Sequence, residues 1–349
     1  MKIIKKLILV LLCIFLISGC KKKEEPVQEP VDPIVEEPVA EVVEEPEPLK
    51  ESPYEFYAMF GVDSRGNSYG IGTRSDSLMI IGVNKTDKKI KVASILRDTL
   101  AHIEGHNYEK ITHAHSYGGP ELALDTLNEN YDFNIKNYLT VNFNSVGDLV
   151  DMIGGIYMYV DSEEVRYING YIDENNRVRG TYSSHITEPG SYLLDGSQAV
   201  AYSRIRYTEG GDFKRSERQR DVIFKIFEAA QNLSNSEKID IASRMLKTIR
   251  TNISEADVLS LLADLSSYEV ASMESYPQLF YAGIIDMNGL DRYCEVPCDL
   301  EKMVFGLHGF FEDEAYTELS PTANKHAEFL ASYGYEPNYD TSSSYGNGE

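Results

Sequence analysis

Three short apolar runs, at residues 56–62, 77–83 and 89–96, constrain this chain more than any other feature. Each is bounded by Gly, Asn or Asp and is too short for a helix, so each reads as a strand. Residues 84–88 between the last two suit a hairpin. A strand pattern returns at 138–143 and 156–160. Between and after these come helical patterns. Residues 120–128 open on Pro120 and place Leu122, Leu124 and Leu127 near helical spacing. Residues 145–153 run into Gly154-Gly155, a helix stop. Residues 161–192 read as a polar loop, long enough to suspect function. Asp195 caps a helix through about 205, and further helices are expected over 213–233, 236–250 and 254–265. In the last, Ser254 and Asp257 have capping-box spacing. Strands early and helices late describe an α/β domain, a sheet covered by helices.

What precedes this domain cannot join it. Residues 24–48 contain nine Glu, one Asp and six Pro, with Val filling most of the rest. Like charges and prolines preclude a core, so an extended stalk is expected. Ahead of it, residues 1–6 carry three lysines and residues 7–17 form an apolar run of eleven. That run is short for a membrane span and fits an export signal. It ends in Leu16-Ile17-Ser18-Gly19-Cys20, which resembles a bacterial lipobox with Cys20 as the lipidated residue. Lys21 to Lys23 would add an electrostatic hold on anionic headgroups. The expected organisation is a leader over 1–19, lipidated Cys20 plus stalk over 20–52, a folded domain over 53–322 and a flexible tail over 323–349. The expected location is the outer face of a bacterial cell membrane. After export only Cys294 and Cys298 remain as free sulfurs, either a small local disulfide or two thiols. The net charge of −23 argues against a nucleic-acid partner.

Charge gathers where the strands end. Asp63-Ser64-Arg65 follows the first strand, Arg74-Ser75-Asp76 precedes the second, and Arg97-Asp98-Thr99 follows the third. Later come Arg204, Arg206, Asp212, Arg215, Arg218 and Gln219. Arg215, Arg218 and Gln219 are three and four apart, so one helix face can carry them. They open a helix, where backbone N–H groups favour an anion. Arginine grips phosphate oxygens in pairs, and neighbouring aspartates are natural Mg²⁺ ligands. For any one pair an ordinary surface ion pair is the simpler reading; the repetition at five element ends points to a pyrophosphate–metal site. Two other patterns carry less. Gly66-Asn67-Ser68-Tyr69-Gly70 matches a nucleophile elbow, yet no helical pattern follows it. His102, His106, His113 and His115 fit no standard zinc spacing.

In order and with sensible gaps, these motifs resemble the LytR-CpsA-Psr family. The resemblance rests on Gly61-Val62-Asp63-Ser64-Arg65, Arg74-Ser75-Asp76-Ser77, Ser94-Ile95-Leu96-Arg97-Asp98-Thr99 and Tyr117-Gly118-Gly119. It continues with Gly154-Gly155-Ile156, Leu194-Asp195-Gly196, Tyr202-Ser203-Arg204-Ile205-Arg206 and Asp212-Phe213-Lys214-Arg215-Ser216-Glu217-Arg218-Gln219. It implies a central mixed or antiparallel sheet sandwiched by helices, with an apolar tunnel for a polyprenyl chain. It implies transfer of a phosphoglycosyl group, such as teichoic acid or capsule, from a polyprenyl-pyrophosphate-linked donor to peptidoglycan. Asp63 and Asp76 would hold Mg²⁺ or Mn²⁺. Arg74, Arg97, Arg204, Arg206, Arg215 and Gln219 would grip the pyrophosphate, with Asp76 or Asp212 as proton acceptor. Leu96 stands where the family usually has Pro, a lipobox replaces the common transmembrane anchor, and nothing after Gln219 aligns. A hydrolase using the same residues and a non-catalytic carrier-binding protein are the alternatives.

Overall fold

The computed structural model describes residues 51–64, 68–287 and 289–340. The leader, Cys20, the stalk up to residue 50 and Arg65 lie outside the described residues.

Six strands form the central sheet, in the order β10-β3-β2-β1-β6-β9. β1 (Glu55–Val62), β2 (Ser75–Asn84) and β3 (Lys89–Ile95) are an antiparallel meander. Its second turn follows from Asn84, whose Oδ1 accepts the N–H groups of Thr86 and Asp87 at 3.0 and 2.9 Å. β6 (Asn137–Asn142) runs parallel to β1, and β9 (Arg250–Thr251) pairs with its outer edge. β10 (Glu269–Tyr276) pairs parallel with β3, making the sheet mixed. β4 (Leu100–Ile103) with β5 (Asn107–Lys110), and β7 (Ile156–Val160) with β8 (Gly190–Leu194), form two small ribbons.

Side-chain alternation gives the sheet two apolar faces. Ala58, Phe60, Leu78, Ile80 and Ala93 join the largest core, against α1 (Thr112–Tyr131) and α8 (Leu300–Phe310). Tyr57, Met59, Met79 and Val92 face the other way, toward α5 (Gly211–Gln231). α2 (Phe143–Met152), α6 (Asn235–Met245) and α7 (Glu255–Ala263) complete that second layer. The helix expected from Pro120 begins earlier and kinks: Gly119 has φ 74 and ψ −165, and Pro120 has no N–H to continue the ladder. No helix among the described residues is long and apolar enough to cross a membrane.

Three expectations are corrected. Residues 161–192 are no loop: α3 (Ser162–Arg179) occupies most of them. Asp161 accepts from the N–H groups of Glu163 and Glu164, and Glu164 returns a bond to the Asp161 N–H, a full capping box. Its Ile168 and Ile172 are wholly buried. Strands also return after the helices, as β10, β11 (Leu279–Met287) and β12 (Leu290–Pro297). Of the tail expected over 323–349, the first residues lie instead in α9 (Pro321–Ala331), where His326 and Leu330 are buried, the chain then pairs again as β13 (Tyr339–Asp340), and 341–349 lie outside the described residues. Cys294 and Cys298 are free thiols. Cys294 sits in extended β12 opposite Gly283. A strand rising about 3.3 Å per residue holds sulfurs four positions apart beyond disulfide reach.

Candidate active site

The meander explains how distant sequence segments meet. Because β2 is antiparallel to β1 and β3, its first residues lie at the same sheet edge as the ends of the other two. Asp63 after β1, Asp76 at the start of β2 and Arg97 after β3 therefore converge. The Asp63 N–H donates to the Arg74 carbonyl at 3.2 Å, fixing the two aspartate-bearing segments together. The loop after α4 (Gly196–Ser203) brings Arg204 and Arg206, and the first turns of α5 bring Asp212, Arg215 and Gln219.

Asp76 is the hub. Arg97 Nη1 donates to its Oδ1 at 3.1 Å, Arg215 Nη1 and Arg206 Nη2 lie 3.6 and 3.8 Å from its Oδ2, and Arg215 Nη2 reaches its backbone carbonyl at 3.1 Å. Asp212 is a second hub. Its Oδ2 accepts from Arg97 Nε and Arg215 Nη2, each at 3.1 Å. Burial alone would lower the Arg97 guanidinium, but Asp212, Asp76 and Asp98 outweigh it and raise it. Arg215 goes the other way: burial and the neighbouring Arg97 and Arg206 charges lower it despite Asp212 and Asp76. Its Nε is buried with no hydrogen-bond partner. A buried guanidinium with an unused donor, beside two more arginines, favours an anion.

A pocket of about 200 Å³ opens here, walled by Asp63, Asp76, Arg204, Arg206, Arg215 and Gln219. Arg204 is posed for it by aromatic faces, with its guanidinium 4.7 Å from the Phe143 ring centre and 5.2 Å from that of Tyr171. It also donates to Asn175 Oδ1 at 3.0 Å and Glu174 Oε2 at 3.1 Å. Tyr171, Glu174 and Asn175 belong to α3, so reading that stretch as a loop concealed them. The Asp161–Glu164 capping box followed by Ile168 and Ile172 was the signal that could have found the helix.

Not every candidate converges. Arg218 does not border the pocket and is held instead by Glu164 Oε1 at 2.7 Å, Thr208 Oγ1 at 2.9 Å and the Ile205 carbonyl at 3.3 Å, to each of which it donates. One turn of helix separates it from Arg215, and the three-residue spacing overstated what one face carries. Arg74 is exposed and contributes no wall to the pocket. Asp212 braces Arg97 and Arg215 from behind and lines a separate cavity. Lys110 at the end of β5 pairs with Asp98 Oδ1 at 2.9 Å.

The polar pocket continues inward. Asp76, Phe143 and Gln219 also border a passage of about 60 Å³. Val141 and Ile223 in turn border both that passage and an apolar cavity of about 370 Å³. β6, α2, α5, α6 and α7 supply its walls, with Leu139, Ile226, Phe227, Met245 and Leu262 among them. Protein interiors are close-packed, and a void of this size forgoes dispersion contacts that an apolar guest restores.

Comparison with known proteins places this geometry among relatives. The model of the LytR_cpsA_psr family matches residues 24–293. The polyisoprenyl-teichoic acid–peptidoglycan teichoic acid transferase TagT of Bacillus subtilis (strain 168) is 30% identical over 224 residues, covering 62% of this chain and 67% of that protein. TagU of Bacillus mycoides (strain KBAB4), named for the same activity, is 31% identical over 206 residues, 58% of this chain and 62% of its own length. Among solved structures, B. subtilis TagT superposes with a TM-score of 0.55 at 25% identity, over 77% of this chain and 94% of that one. The LytR-CPS2A-psr family protein YwtF (TagT) with bound octaprenyl pyrophosphate lipid superposes with a TM-score of 0.53 at 25% identity, over the same shares.

Proposed function

Because the chain belongs to the LytR_cpsA_psr family, we propose that it transfers an anionic glycopolymer of the teichoic-acid class, as a phosphoglycosyl group, from a polyprenyl-pyrophosphate carrier to peptidoglycan. The observation that carries this reading is the succession of an arginine-walled pocket, a small passage that shares Asp76 and Gln219 with it, and a mainly apolar cavity that shares Ile223 with the passage. A polar head joined to a long apolar tail is the ligand such a succession fits.

In this reading Arg206 and Arg215 hold the diphosphate, Arg204, held in place by Glu174 and Asn175 of α3, adds a third guanidinium, and Gln219 donates at the mouth of the passage. Arg97 ties Asp76 and Asp212 into fixed positions and adds positive charge behind the transferring phosphorus. Phosphoryl transfer asks mainly for positioning and charge neutralisation. An acceptor hydroxyl oxygen forms a bond to the phosphorus next to the glycopolymer, and the bond from that phosphorus to the bridging oxygen breaks. Polyprenyl phosphate leaves with the electron pair, and the hydroxyl proton passes to a carboxylate of the site, Asp76 or Asp212. Asp63 and Asp76, two carboxylates on one pocket wall, suit Mg²⁺ or Mn²⁺, which takes one or two carboxylates together with phosphate oxygens. Such an ion would neutralise charge on the diphosphate. Cys20, as the lipidated residue, would tether the domain to the outer membrane face, the stalk spacing it from the bilayer.

The test is transfer of a labelled lipid-linked teichoic acid by the purified chain. Label should move to peptidoglycan, stop on chelation and resume with Mg²⁺ or Mn²⁺. Release of label into solution at the same rate with and without peptidoglycan would make the protein a hydrolase. Undiminished transfer in chelator would remove the metal role of Asp63 and Asp76.

A further inference from the structure

Three side chains that take no part in the arginine-walled pocket come together from distant stretches of chain. His102 lies on β4, Glu129 in the last turn of α1 and His326 on α9. His102 Nδ1 is 3.0 Å and His326 Nε2 is 3.1 Å from the same carboxylate oxygen, Glu129 Oε1. We propose that this triad is a Zn²⁺ site, binding one ion through the two imidazoles and the carboxylate and so clamping α9 to α1 and the β4–β5 ribbon.

The donor set selects the ion. Imidazole nitrogen suits zinc and its transition-metal neighbours, whereas Mg²⁺ and Ca²⁺ take oxygen donors. Two His and one Glu, with water in the fourth position, make a tetrahedral zinc set. Bonds of about 2.0–2.1 Å put tetrahedral donor atoms about 3.3 Å apart. Here the three lie within 4.8 Å of one another, and two of the separations are already 3.0 and 3.1 Å. A small approach of the rings around an inserted ion completes the set. Solvent reaches the site on one side: the His102 and Glu129 side chains are 26% and 28% exposed, whereas His326 is buried. An ion can enter there, and a water can take the fourth position.

The surroundings hold the donors in place. The His102 N–H donates to Asn130 Oδ1 at 2.9 Å, and Asn130 Nδ2 donates to the His102 carbonyl at 2.8 Å. The strand residue is thus fastened to the helix position next to Glu129. His326 stacks on His102 with ring centres 4.7 Å apart. Its far nitrogen, Nδ1, lies 2.8 Å from the hydroxyl of Tyr108, which stands opposite His102 in the ribbon. Tyr108 is itself stacked on Phe329 of α9. A metal-bound imidazole keeps its proton on the far nitrogen and donates it to such an oxygen, which fixes the ring. Without an ion, each ring instead donates a proton toward Glu129. Zinc binding therefore moves the His326 proton to Nδ1, with the Tyr108 hydroxyl accepting it.

The untagged full chain, stripped with chelator and returned to excess Mg²⁺ so that oxygen-only sites are filled, is titrated with Zn²⁺. One Zn²⁺ per chain should bind with a Kd on the order of 1 µM or tighter. Zn²⁺ at a hundred times that Kd should raise Tm by about 5 °C, and more Mg²⁺ should not. His102→Ala and Glu129→Gln should each weaken Zn²⁺ binding at least about a hundredfold and abolish the rise. Tyr108→Phe, which leaves all three donors, should weaken it about tenfold. Co²⁺ in the wild-type chain should give the strong visible absorption of a four-coordinate ion, a readout that no variant's folding affects. Three results would each overturn the proposal: no stoichiometric Zn²⁺ binding by wild type, the weak spectrum of six-coordinate Co²⁺, or Zn²⁺ affinity within about twofold of wild type in both His102→Ala and Glu129→Gln. None of these readouts is transfer activity, so the site stands or falls apart from the transferase reading.

Discussion

Ile223→Trp should convert a long-tail lipid into a poor ligand while sparing a short-tail one. Ile223 borders both the passage of about 60 Å³ and the apolar cavity beyond it, so an indole there fills the space where the two adjoin. A buried CH₂ is worth about 0.8 kcal/mol, so one five-carbon isoprene unit excluded from the cavity forfeits about 4 kcal/mol gross. Halving that for the entropy of ordering the tail leaves about 2 kcal/mol, or roughly a thirtyfold weaker Kd per unit shut out. Overpacking costs about 1–3 kcal/mol of folding stability, so a thermal melt should accompany the measurement. The assay is equilibrium binding of two polyprenyl pyrophosphates, one with a single isoprene unit and one with eight. The single-unit ligand should bind wild type and variant equally, whereas the eight-unit ligand should lose at least about thirtyfold in the variant. Equal binding of the long ligand by a folded Ile223→Trp protein would place the tail elsewhere and refute the reasoning.

Arg97→Lys should cost roughly a hundredfold or more in transfer rate, because one ammonium cannot span Asp76 and Asp212 as the guanidinium fork does; a loss smaller than about threefold in steady-state turnover would contradict its bracing role. Arg218→Ala should destabilise the fold by about 3–5 kcal/mol, since it strands Glu164 in a site where both side chains are 7% exposed. Denaturant melts should show this loss, and Glu164→Gln combined with Arg218→Met should recover most of it. Glu295 links stability to pH. Its folded value of about 8 lies above the usual carboxylate range, so the native state holds a proton the unfolded chain has released. Stability should therefore fall as pH rises between about 5 and 8, by up to about 1.4 kcal/mol per unit. Asp221, pushed up to about 6 by burial and then by Glu217, adds to the lower part of that window. Melts of Glu295→Gln across the same range should be flatter; an identical slope would deny the buried proton.

The sheet was legible because its strands are short, apolar and punctuated, and the hairpin because Asn84 supplies its own turn acceptors. The convergence of Asp63, Asp76 and Arg97 was also legible, since antiparallel neighbours bring alternate strand ends to one edge. What sequence spacing could not convey was direction. Arg215 and Arg218 share a helix turn yet bond different partners, one the Asp76 carbonyl and one Glu164. α3 was hidden by its polarity: charged and amide residues dominate it, and two isoleucines with a capping box hold it in place. The triad of His102, Glu129 and His326 escaped for a different reason. Glu129 and His326 are 197 positions apart, and α9, which supplies His326, falls where the sequence reads as a tail.

A crystal structure of this chain with a polyprenyl pyrophosphate tests the central claim most directly. The diphosphate oxygens should lie within hydrogen-bond distance of Arg206 and Arg215, and the tail should pass Gln219 and Ile223 into the cavity between β6 and α5–α7. A diphosphate bound away from those arginines, or a tail lying on the outer surface with the cavity left empty, would contradict it.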